Sequence, residues 1–280
     1  MRAQGLKRQT YKTGGTLRRM LLCVTVCAAV WLLSGQVRAH FNVPLLFSIT
    51  PKEEKTPDAT EKKESEYQTR ETALSGRTWY ALQLGAFTQE NAAWQLSQEF
   101  IPRGAAGYVC RENDVFRVYA AAYPTRTEAQ SVQTRLNEQG VTTYIQVCSE
   151  PNVTLRAGGS EAQVAAVCEA VSYLDALSGK FYALSMALDG HEMTESEAFD
   201  ALRSECATCL ALAEKIKDAF AGEVDAAALP LHELLSALAQ EGESVLNNMS
   251  AARIGAALKR CQLTAAVGLK NFAAFLASAP

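Results

Sequence analysis

Along residues 78–148 the spacing of apolar positions changes period several times. The run WYALQLGAF at 79–87 alternates as a strand, and Ala92, Ala93, Leu96 and Phe100 then recur at helical spacing. Pro102 and Gly104 stop that helix. Residues 107–110 read as a short strand, Glu112-Asn113-Asp114 supplies turn chemistry, and 115–123 reads as a longer strand. Pro124 opens a second helix with Ala129, Val132 and Leu136 on one face and Gly140 as its stop, before a last strand at 141–147. The predicted order, β-α-β-β-α-β, is the split arrangement of ferredoxin-like and RNA-recognition (RNP-like) folds, of α+β class. Alternation also assigns faces. Tyr80, Leu82 and Leu84 of the first strand and Phe116 and Val118 of the third point at the helices. Trp79, Ala81, Gln83 and Gly85, with Val115, Arg117 and Tyr119, point the other way.

After Gly158-Gly159 the period is helical to the end. Val164, Val167, Val171, Leu174, Leu177, Phe181, Leu184 and Leu188 form one stripe. Thr194-x-x-Glu197 is a capping box opening a second helix through Phe199, Leu202, Cys206, Cys209, Ala213, Ile216 and Phe220. Pro230 fits the first turn of a third, and Ser250 can cap a fourth carrying Ile254, Leu258, Cys261, Ala265, Leu269, Phe272 and Leu276. Four amphipathic helices with short joins predict an all-α bundle over 160–278.

The N-terminal stretch is of another kind. Residues 20–33 are apolar except for Thr25, and extension to Val37 approaches the ~20 residues that cross a bilayer. Seven of the 27 bases and none of the 30 acids lie within residues 1–50. A basic leader at 1–19 keeps the N-terminus in the cytoplasm and sends the rest outward. The expectation is a transmembrane helix at 20–37, single-pass, at the cell membrane. A cleaved signal, with Val37-Arg38-Ala39 as the cut, is the alternative, and either exports the body. Residues 38–77 read as a flexible linker, since 51–77 alternates charges of both signs with two prolines and little apolar surface.

Composition removes several classes. The acidic body argues against nucleic acid, and the RNP-like segment has five arginines, no lysine and an excess of acids. Only three histidines are present, with no His-Glu metal pattern and no nucleophile constellation, so neither an enzyme nor a cofactor or metal is expected. Cys206-x-x-Cys209 shares the apolar stripe with Cys168 and Cys261, where core packing, a disulfide or a metal all remain readings.

WYALQLGAF, NAAWQLSQEF and DVFRVYAAAYPTRTEAQSVQTRLNEQG together resemble the SPOR domain over about 70 residues. The carriers are Gln83, Gly85 and Phe87 of a Q-x-G-x-F strand, then Arg117-Val118, Pro124 and Glu128-Ala129. The family usually has a Gly before that proline, where this chain has RVYAAAYP. The resemblance implies non-catalytic binding of peptidoglycan glycan strands by residues 78–150, in cell division or sporulation and at the septum. It implies Gln83 and Arg117 as hydrogen-bonding residues, with Ala86, Val115 and Ile145 at further binding positions and Trp79 and Tyr119 beside them. Gln83 offers an amide and Arg117 a planar fork of donors, which suits hydroxyl and acetamido groups. The bundle would engage a protein partner, or be the recruiting scaffold that the SPOR domain only localises.

Overall fold

The computed structural model describes residues 67–150, 152–246 and 251–278. The leader, the expected span at 20–37 and the linker as far as residue 66 lie outside the described residues. Among the described residues no helix is long and apolar enough to cross a membrane.

In chain order the elements are β1 (Gln68–Ser75), β2 (Thr78–Phe87), α1 (Glu90–Phe100), β3 (Tyr108–Glu112), β4 (Val115–Tyr123), α2 (Arg126–Glu138), β5 (Tyr144–Ser149) and β6 (Asn152–Gly159). Four helices follow: α3 (Glu161–Asp189), α4 (Glu195–Ala219), α5 (Leu229–Leu246) and α6 (Ala251–Ser278). The class is α+β, a β-rich part followed by helices. β2, β3, β4 and β5 form an antiparallel sheet in the order β3-β4-β2-β5, which puts β2 and β4 at its centre.

Local chemistry accounts for the turns. Asn113 and Asp114 both adopt positive φ (47° and 63°), as a two-residue hairpin connection between β3 and β4 requires. Thr125 and Glu128 form a reciprocal capping box on α2, and Gly140 takes φ 80° just past its end. Leu82, Ala120, Ala121, Tyr123 and Ala129 bury between the sheet and its helices, with Tyr80, Leu84, Val132 and Leu136 alongside.

Strict alternation fails at two positions. Leu82 faces Ala121, Gln83 faces Tyr119 and Gly85 faces Val118, so Ala120 and Leu84 are each an extra residue. Such bulges reset side-chain parity. Gly85, expected opposite the helices, therefore turns toward α1, where a Cβ would lie 2.8 Å from the Phe87 ring and 2.9 Å from Leu96.

A second sheet was not expected. β1 and β6 pair antiparallel, from Gln68 opposite Gly159 to Ser75 opposite Asn152. The last part of the segment read as a flexible linker is thus a strand, and the Gly158-Gly159 break ends one. The ribbon is fixed by its contacts with the bundle. Leu74 and Leu155 enter the bundle's core, and the Ser75 N–H and Oγ donate to Asp175 on α3 at 2.8 and 2.7 Å. The bundle buries the predicted stripes, among them Leu174, Leu177, Phe181, Leu202, Ile216, Leu235, Leu238 and Leu258. Capping boxes at Ser160/Gln163 and Thr194/Glu197 start α3 and α4. Cys206, Cys209 and Cys261 are free and buried among these apolar side chains, and Cys168 is likewise free and buried.

Candidate glycan-binding face

The face of the sheet opposite α1 and α2 is built in rows of cross-strand partners. One row runs Tyr108, Tyr119, Gln83, Tyr144 across β3, β4, β2 and β5. The next holds Cys110, Arg117 and Ala86, and the hairpin end holds Glu112 and Val115. In the opposite direction come Ala122, Ala81 and Gln146, then Trp79 beside Cys148.

Gln83 and Arg117, one row apart, meet. Arg117 Nη1 donates to Gln83 Oε1 at 2.7 Å, and Arg117 Nε lies 3.2 Å from Glu112 Oε2. The amide and guanidinium thus sit in one line of polar groups with aromatic rings on both sides. That combination can hydrogen-bond sugar hydroxyls while a ring lies against a sugar face. Burial pushes the Tyr119 and Tyr108 phenols well above their ordinary pKa, with Cys148 and Cys110 respectively as the next contributors, so both remain protonated donors. Burial likewise pushes the Cys110 thiol up to about 11, and it stays uncharged at neutral pH.

Exposure differs from expectation. Ala86 is exposed, and Val115 and Arg117 are half-buried on the expected face. Gln83 is only 7% exposed, Trp79 3% and Tyr119 1%. Parity directs all three away from the domain's own helices, but that direction does not lead to solvent. Trp79 donates through Nε1 to Glu150 Oε1 at 2.6 Å, and its ring centroid is 5.6 Å from that of Tyr182 on α3. Tyr119 and Ala81 pack with Leu263 and Ala266 of α6. Ile145 is on the other side of the sheet: it pairs with Leu82 and shares a cluster with Ala129, Val132 and Leu136 of α2, so its place among the glycan-facing residues is corrected.

Sequence reasoning missed Tyr144. It is 62% exposed on the edge strand, directly across from Gln83. The signal was present, because burying Ile145 by alternation puts Tyr144 on the outer face.

The fold and this face define a split β-α-β-β-α-β domain with a polar pair flanked by rings at mid-sheet. Residues 76–146 match the family model of the SPOR domain, a peptidoglycan-binding domain. The bundle lies outside that match. No curated protein and no solved structure matches the chain.

Proposed function

We propose that the protein binds peptidoglycan glycan strands through the outer face of its SPOR sheet, with Gln83, Arg117 and Tyr144 as the principal contacts and Ala86 and Val115 at the rim. The observation that carries this is the Gln83–Arg117 pair at the middle of the face, 2.7 Å apart, with Tyr119 and Tyr144 on either side of Gln83. Trp79 and Tyr119 extend the same face. In this reading the basic leader and the apolar run at 20–37 place the body outside the cytoplasm, single-pass at the membrane. The linker lets the domain reach the wall, and septal wall in division or sporulation is where stripped glycan would be met. The bundle offers a surface to an envelope protein.

The test is sedimentation of the chain with intact and with amidase-treated peptidoglycan. Stronger retention by the stripped glycan is expected, since the face presents donors and rings but no cleft for a stem peptide. Equal failure to sediment with both would overturn the reading.

A further inference from the structure

α6 is apolar on two sides. Ile254, Leu258, Cys261, Ala265, Leu269 and Phe272 bury in the bundle core. Leu263 and Ala266 fall off that stripe and bury instead against Trp79, Ala81, Tyr119 and Ala122 of the SPOR sheet. A polar collar surrounds this contact. Lys259 Nζ donates to the Gly104 carbonyl at 3.2 Å, Arg260 Nε to the Ala106 carbonyl at 2.9 Å, and Gln262 Nε2 to the Ala122 carbonyl at 3.1 Å. Lys270 Nζ lies 3.8 Å from Glu112 Oε1, the carboxylate that also pairs with Arg117.

The chain's own helix therefore occupies part of the face that a glycan strand would need. Ala86, Tyr144 and Gln146 stay exposed and Arg117 half so, which leaves an open end toward the β5 edge. The seat is also imperfect in one respect: the Tyr119 hydroxyl is buried with no hydrogen-bond partner. Buried hydroxyls are normally satisfied, and a sugar hydroxyl in place of α6 would satisfy this one.

We propose that α6 is an autoinhibitory cover on the SPOR sheet. A glycan strand first meets the open end and then binds fully only when the bundle lifts from Trp79 and Tyr119, with α6 keeping its place in the bundle core. The inference rests on the glycan-binding reading above and adds its regulation. Because only the open arrangement accepts a full-length ligand, apparent affinity is the intrinsic affinity scaled by the open fraction. A partner that draws the bundle away would raise wall binding without touching the sheet.

Two experiments on the full chain test it. The double variant Leu263→Glu/Ala266→Glu puts carboxylates against Trp79 and Tyr119 while leaving the bundle-core stripe intact. It should bind amidase-stripped peptidoglycan on the order of tenfold or more tightly than the parent, and adding Arg117→Ala should cancel the gain. Binding equal to the parent's, with faster amide exchange over 79–82 and 119–122, would overturn the cover and leave the glycan reading standing. No binding by either chain would remove the glycan reading, and the cover with it. The second experiment needs no opened variant. Carbodiimide should join Lys270 to Glu112 in the parent but not in Lys270→Arg, and the joined chain should lose binding that the treated Lys270→Arg chain retains. Failure of the link to form, or a joined chain that binds as well as the unjoined, contradicts the proposal.

Discussion

Gln83 does two jobs in the present arrangement, since its carbonyl accepts from Arg117 while its backbone holds the centre of the sheet. Removing it would strip the guanidinium of an acceptor, and a bond to a charged group is worth about 1.5–3 kcal/mol. Tyr144 separates binding from stability more cleanly. Tyr144→Ala should weaken retention by stripped glycan while holding folding stability within about 0.5 kcal/mol, as surface substitutions do. Leu82→Ala, fully buried against the helices, should cost about 2–5 kcal/mol in urea unfolding and so serves as the contrast. A Tyr144→Ala chain that binds as the parent does would remove the ring from the site.

Gln83 and Arg117 were legible as residues because the Q-x-G-x-F and R-V patterns fall on neighbouring strands. Their exposure was not. Alternation says which side of a sheet a residue takes, and says nothing of what a segment some 180 residues later lays over it. Ile145 shows the reverse case. The family pattern placed it in the site, and the pairing with Leu82 puts it among the α2 side chains.

At the scale of elements, strong periodicity was readable and weak periodicity was not. The four helices at the C-terminus carry long stripes, and the Thr194/Glu197 box declared the start of one of them. The ribbon of β1 and β6 does not: each strand has one side chain, Leu74 or Leu155, that enters the core, and the partners are far apart in sequence. Arg70, Glu71 and Thr72 make β1 look like more linker.

α6 was half legible, because its bundle stripe hid a second apolar side. Where α5 meets α6, Glu241 accepts from Thr264 Oγ1 at 3.3 Å, and burial raises its pKa despite Arg260 and that hydrogen bond. The folded protein thus holds the Glu241 proton more tightly than the unfolded chain does. Stability is full below the ordinary carboxylate range and falls as pH rises through the raised folded value. Glu241→Gln should flatten that fall and raise the melting temperature at neutral pH. Parallel melting curves for the two chains between about pH 4 and pH 8 would contradict it.

For the molecule as a whole, the SPOR match covers 76–146, and the bundle outside it packs on that domain through the sheet's outer face. If the sheet binds the wall as proposed, a helical body that partly shields it would make affinity depend on what else holds the bundle. In the proposed reading the body is exported past the membrane, where peptidoglycan is met. The packing of α6 on the sheet could be seen only in three dimensions.

The most direct test of the account is hydrogen–deuterium exchange of the full chain with and without amidase-stripped glycan strands. Binding at the outer face predicts slowed exchange in segments 83–86, 115–119 and 144–146, with α1 and α2 unchanged. Slowed exchange confined to the opposite cleft, lined by Leu136, Met186, His191 and Lys259, would place the ligand on the other side of the sheet and contradict the central claim.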